Sequence, residues 1–294
     1  MSEKRNWQEY NDQLVRRGEL YISLDFVDHW DEEVAQMNEG KWGRPFTFPE
    51  RLMEFLAFLH VAFLPYRQME GFLRKLSEYI PKLEAADYTT ICKRLKNIKL
   101  DITLQDIPTD VVVALDATGM KISSRGDWMS HKWRIRRGWI KVHIAVDVRT
   151  KKLLALYVTD ERTGDGQLLP SLIEQAQQHT TGPVTAALGD GAYDSKTNFN
   201  YLRQHGIYPV IKTRKNASTQ ARGSPPRAAA GRERRRLGYD GWRNTYRYGH
   251  RWMAESYFSG VKRMFGETVR AHSQEAMFQE VMMKFIFHDT LVNR

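Results

Sequence analysis

The chain has 294 residues, of which 41% are hydrophobic and 12% aromatic, and a formal charge of +10. That apolar content excludes a mainly disordered chain, and the length suits a core of ordinary size with one or two accessory pieces. The positive balance points to a polyanionic partner, nucleic acid first, because each phosphate met by Lys or Arg releases a counterion.

Cys92 is the single cysteine. It excludes an intramolecular disulfide and a multi-cysteine zinc site, and in TTICKRLK it reads as a small buried apolar residue. No apolar run reaches the ~18 residues that span a bilayer. The first residues, MSEKRNWQEYND, lack a hydrophobic signal core. The expectation is a soluble cytoplasmic, nucleoid-associated protein with no membrane partner.

Residues 1–40 read as two helices. The first, Asn6 to Leu20, is polar and amphipathic. The second has Ser23 as its cap, Asp25 and Asp28 in its first turns, and an end near Met37. After GRPFTFP comes PERLMEFLAFLHVAFL, apolar nearly all round and so a buried helix, with Pro49 at its first turn. Pro65 ends it, Tyr66 to Ile80 forms the next, and TTICKRLKNI follows with Thr89 or Thr90 as cap. The last exposes Lys93, Arg94 and Lys96. Two readings stay open: a helix-turn-helix-like unit with a recognition helix over about 43–99, or a plain bundle whose last helix is basic.

The texture changes near residue 100. DVVVALD, ending in Asp116, reads as a short buried strand. GWIKVHIAVD and KLLALYVT form a hairpin. Asp165 is placed to cap GQLLPSLIEQAQQH. The strand VTAALGD then ends in Asp190, the helix DSKTNFNYLRQHG closes at Gly206, and IYPVIK is a fifth strand. Residues 212–245 carry Arg, Lys, Gly, Pro and Ala with few large apolar residues, which reads as a mobile basic insertion. Tyr246 to Phe265 and Gln274 to Asn293 are the final helices. Three strands before the first helix, then alternation, is the element order of the ribonuclease-H-like fold: an α/β core with a mixed five-stranded sheet. The domains expected are an all-α DNA-binding region at 1–105 and a catalytic region at 106–294.

The segment YRYGHRWMAESYFSGVKRMF gathers a polar stripe. At 100° per residue, Tyr248, Arg251, Ser259 and Lys262 fall within about 40° of Glu255. A solvated face with an i,i+4 Arg251–Glu255 pair is the plain explanation. The acids upstream favour another. Asp116 and Asp190 end the first and fourth strands, and in open α/β sheets ligands gather beyond the carboxyl ends of strands. With Glu255 from the striped helix, three hard oxygen ligands suit Mg²⁺ or Mn²⁺ rather than zinc. Two such ions activate a water or sugar hydroxyl and stabilise the leaving oxygen of a phosphodiester. Arg251 and Lys262 suit the flanking phosphates.

The remaining candidates have plainer roles. Asp147 and Asp160 read as turn residues, Asp127 as loop, Asp165 and Asp194 as helix caps, and His143 and His250 as core or surface. Trp128, Trp133, Trp139 and Tyr193 could stack on unpaired bases, though Trp more often fills a core.

LDATGM around Asp116, ALGDGAYDS around Asp190, and Tyr248-x2-Arg251-x3-Glu255-x6-Lys262 together resemble the DDE transposases of prokaryotic insertion sequences. The last spacing matches the Tyr-Arg-Glu-Lys signature of the insertion-sequence-four and -five group, and the compact length is most like the fifth family. The hairpin segment between the first two acids is similar too. The resemblance covers residues 40–290. It implies Asp116, Asp190 and Glu255 as a triad binding two Mg²⁺ (Mn²⁺ substituting), with Tyr248, Arg251 and Lys262 supporting the DNA. It also implies double-stranded DNA as partner: nicking at terminal inverted repeats, joining of 3′-hydroxyl ends to target DNA, and a homodimer or higher multimer on paired ends. The separation of 65 residues from Asp190 to Glu255 leaves no room for the large β-rich insertion of some relatives. A structure-selective nuclease of the same fold and a domesticated DNA-binding protein are the alternatives.

Overall fold

The computed structural model describes residues 6–20, 24–122 and 139–293. The chain forms two units, Met1–Leu100 with Met283–Arg294 and Asp101–Met282. The boundary thus falls before residue 105, and the end of the chain groups with the N-terminal helices rather than with the rest of 106–294. Apolar packing accounts for that grouping: Phe287 meets Phe58 edge-on at 5.6 Å.

The first unit holds α1 (Trp7–Leu20), α2 (Trp30–Asn38), α3 (Glu50–Ala62), α4 (Tyr66–Ser77) and α5 (Tyr88–Asn97). The expected second helix begins late. Asp25–Val27 is one 3-10 turn, and α2 starts at Trp30. Phe26 buries its ring against Trp30 and Phe55, which bends the chain there. Ser23, the expected cap, lies outside the described residues. Leu52, Met53, Leu56 and Leu59 of α3 are buried as their pattern requires, each contributing about 1.5–3 kcal/mol. The cap of α5 is neither Thr89 nor Thr90 but Asp87. Its carboxylate accepts from both threonine N–H groups, at 2.9 and 3.0 Å, and suits the positive helix end better than a hydroxyl. Cys92 is half-buried rather than buried.

The second unit contains β1 (Val111–Ile122), β2 (Trp139–Asp147), β3 (Leu153–Thr159), α6 (Leu169–Gln178), β4 (Val184–Gly189), α7 (Lys196–Gln204), β5 (Tyr208–Ile211), α8 (Pro225–Thr245), α9 (Trp252–Phe265) and β6 (Thr268–Val269). A last helix, α10 (Gln274–Asn293), starts here and ends among the residues of the first unit. The strand order is β3-β2-β1-β4-β5, with β6 also on β1. The β2 strand is antiparallel to both neighbours, and β1, β4 and β5 are parallel. This is the ribonuclease-H-like sheet flanked by helices that the element order predicts.

Alternation along β1 sorts its two faces. Val111, Val113 and Leu115 join Leu172, Ile173, Phe199 and Leu202 of α6 and α7 in the main core. Val112 faces the other way, into a cluster with Leu188, Val210, Trp242 and Tyr248. Asp116 shares the parity of Val112.

Two expectations need correcting. The segment 212–245 is not a structureless loop, since Pro225–Thr245 is helical with a break at Gly238 (φ +68°). Small residues make the contact: Ala228 and Gly231 are buried, with Trp242 at the far end. The striped segment is not one α-helix either. Arg247 adopts φ +49°, Tyr248–Arg251 forms a 3-10 turn, and α9 starts at Trp252.

Candidate active site

The β1–β4 register runs to Ala114↔Leu188. Asp116 and Asp190 each lie two residues further along, level with one another and on the face away from the main core. Asp116 is therefore in mid-strand, not at the end of β1 as expected. The edge of β1 is taken by β4 up to Ala114 and by β6 from Lys121, which leaves the stretch around Asp116 and Thr118 open between them. Helix α9 packs across β1 there, its buried side formed by Ala254, Tyr257, Phe258, Val261 and Phe265. Glu255 and Lys262 stand on its other side. Lys262 donates to Thr118 at 2.8 Å, two residues beyond Asp116 on the same face.

Arg251 binds this arrangement together. It donates to Asp116 at 2.9 Å and to Glu255. Burial raises the Asp116 pKa above the ordinary carboxylate value. The Ala117 N–H and Arg251 pull it down, and the charges of Asp190 and Glu255 push it up. Asp116 therefore senses both of the other acids. Tyr248 is buried on Trp242, with ring centroids 4.8 Å apart. Burial is the main cause that pushes its hydroxyl to about 12, and the hydroxyl also meets Arg251. The ring thus positions the guanidinium from behind rather than standing free on the surface for DNA.

Several side chains have other work than expected. Asp165 makes no capping bond; it pairs with Lys141 at 2.6 Å and faces His143 at 3.6 Å. Lys141 and His143 alternate onto one face of β2, the period-two signal that would have revealed the cluster. Asp194 is not the cap of α7, which is Ser195. Its carboxylate, fully buried, takes a bidentate bond from Arg227 at 2.6 and 2.9 Å and the Arg214 N–H at 2.8 Å. Tyr193 is buried and cannot stack on bases, and its hydroxyl has no hydrogen-bond partner among the described residues. A Cβ at Gly189 would lie 3.0 Å from that ring, so any larger residue there would have to shift it. Asp147 and Asp160 are turn residues as read, accepting from Thr150 and from Arg162 and Thr163. His143 is core, and Trp139 is partly exposed over Gly119. Asp127, Trp128 and Trp133 lie outside the described residues. In the first unit, Lys93 and Lys96 are exposed. Arg94 is not available to DNA in the same way: it pairs with Glu50, donates to Phe48 and lies over the Phe46 ring at 4.6 Å.

The donor chemistry of Asp116, Asp190 and Glu255 fits a hard divalent cation. Among the described residues, however, no three His, Cys, Asp or Glu side chains converge closely enough to hold one. Arg251 bridges Asp116 and Glu255 and supplies the positive charge between them.

The sequence family described as "Transposase DDE domain" matches residues 107–288, more than half of the chain. The chain belongs to this DDE transposase family. A second family of the same description matches residues 15–125. Solved structures similar to the chain include the piggyBac transposase synaptic complex with hairpin DNA. It is 10% identical, with 96% of this chain and 74% of that one covered and a TM-score of 0.42. Another is the Mos1 mariner paired end complex with Mn, 10% identical, with 99% and 88% covered and a TM-score of 0.25. The assignment to the transposases rests on the family match. No described helix of this transposase is long and apolar enough to cross a membrane.

Proposed function

We propose that this transposase cuts and joins DNA at Asp116, Asp190 and Glu255, acting on the terminal inverted repeats of its element as a multimer on paired ends. The observation that carries the reading is the level placement of Asp116 on β1 and Asp190 just beyond the end of the adjacent parallel β4, with Glu255 on α9 and Arg251 bridging two of the three. When bound, two Mg²⁺ or Mn²⁺ ions at these carboxylates supply the charge that deprotonates a nucleophile and stabilises a leaving oxygen. Arg251 and Lys262 contact the phosphates flanking the reacting bond. Water and then a DNA 3′-hydroxyl are the nucleophiles, with no covalent protein–DNA link. In the first unit, Lys93 and Lys96 of α5 meet the DNA backbone.

The test uses duplex DNA carrying the element's ends, with Mg²⁺. Asp116→Ala and Glu255→Ala should each abolish cleavage and leave binding nearly intact. Binding lost together with cleavage makes the acids structural. Nicks without joined products make the protein a nuclease, and binding without nicks by the unaltered protein makes it non-catalytic.

A further inference from the structure

Residues 212–243 carry ten Lys and Arg against two Asp and Glu, a net +8 of the chain's +10. The fold concentrates part of that charge in one cleft. It starts at Asp190, Tyr248 and Arg251 and is walled by Lys212, Arg214, Lys215 and Arg234. Arg214 also lines a second cleft with Lys196, Arg222 and Arg227, so the basic surface continues away from the acids.

The charge in the first cleft is not neutralised within the protein. Among the described residues, Arg227 pairs with Asp194 and Arg236 with Glu233, whereas Lys212, Arg214, Lys215 and Arg234 have no carboxylate partner. Lys212 and Arg234 lie over the Tyr239 ring at 5.3 and 5.7 Å, and Arg234 donates to Thr213 O; neither contact cancels charge. Arg214 and Lys215 are exposed. The wall is also fixed in place, because the buried Asp194 carboxylate holds the Arg214 backbone and Arg227 together. Like charges held side by side repel, and a fixed row of them beside a phosphodiester site matches the repeated charge of a sugar–phosphate backbone.

We propose that this cleft binds the DNA strand that leaves the reacting phosphate on the Asp190 side, through phosphate contacts of Lys212, Arg214, Lys215 and Arg234. The inference rests on the DDE reading of the acids and adds the strand's path. The occupant is backbone rather than base: both cations over Tyr239 keep its ring from stacking, so binding there is indifferent to sequence.

The probe is a 30-base-pair duplex of arbitrary sequence, titrated by fluorescence anisotropy in EDTA between 50 and 200 mM salt. The triple variant Lys212→Ala, Arg214→Ala, Lys215→Ala should bind more weakly. Its slope of log K against log salt should be shallower by about 2–3, at roughly 0.9 per lost phosphate contact. The control, Arg149→Ala with Arg203→Ala, removes two positive charges at the other end of the parallel strands, where β1 and β5 begin, and should keep the unaltered slope. Circular dichroism checks folding, and Lys212→Gln with Lys215→Gln, a milder change, should still lower the slope by about 1–2. An unchanged slope in both cleft variants, or an equal drop in the control, overturns the proposal. Nicking is assayed separately: cleavage retained with an unchanged slope removes only this path, whereas a reduced slope in a protein that never nicks removes only the catalytic reading.

Discussion

Arg251 is the residue on which the electrostatics of the site turn. Asp116 is half-buried beside two other acids and has one guanidinium to offset them. Removing one partner of such a pair leaves an uncompensated charge, at a cost of about 3 kcal/mol or less given the partial exposure. Arg251→Ala should therefore lower the thermal midpoint in EDTA by several degrees. A divalent cation brings the same kind of charge to the same carboxylates, so millimolar Mg²⁺ should restore much of the loss, and more in the variant than in the unaltered protein. An equal deficit with and without Mg²⁺ would show that the ion does not take over the role of the guanidinium. Lys262 differs in kind, because its contact is the neutral Thr118 hydroxyl and its charge stays available for phosphate.

At the scale of elements, α8 is held by one buried ion pair. Asp194→Ala would leave Arg227 and the Arg214 N–H without their acceptor and should loosen the 212–230 segment. Trypsin should then cut among Arg222, Arg227 and Arg232 many times faster than in the unaltered protein, with far-UV dichroism of the sheet little changed; an unaltered cleavage rate would refute the clamp. The sequence made much of this architecture readable. Strands β1 to β5 follow from short β-branched runs between turn residues, and α10 was read at its actual bounds, Gln274–Asn293. What escaped was decided by partners distant in sequence. The helix in the basic segment packs through Ala228 and Gly231, too small to register as a hydrophobic stripe, although Ser-Pro-Pro followed by alanines is a helix-start signal. Asp194 looked like a cap because its true partner lies 33 residues away. Asp116 looked terminal because nothing local shows that β1 runs on to pair with β6. Of the candidate site, the Arg251–Glu255 pair was legible from its i,i+4 spacing, whereas the Arg251–Asp116 bond, 135 residues apart, was not.

Across the whole molecule, the same sheet that brings Asp116 and Asp190 level also encloses a histidine, and that fixes how the fold responds to acid. His143 has no exposed side-chain surface. Its Nε2 lies 3.0 Å from the Thr159 hydroxyl and its Nδ1 faces Asp165 at 3.6 Å, with Lys141 beside the same carboxylate. Burial lowers its pKa from 6.5 to about 4; Asp165 works against that and Lys141 adds to it. Between pH 6.5 and 4 the unfolded chain takes up a proton that the folded chain refuses, so stability rises with pH across that window and is lost as pH falls. The full loss, reached near pH 4, is on the order of 3 kcal/mol, or several degrees of thermal midpoint. Asp116 acts in the opposite sense from the ordinary carboxylate range upward, since its raised pKa lets the folded state hold a proton more readily. The two contributions separate in a variant. His143→Leu should flatten the midpoint profile between pH 6.5 and 4 and leave its more acidic part unchanged. A slope as steep as that of the unaltered protein would mean that another group carries the acid sensitivity of the sheet.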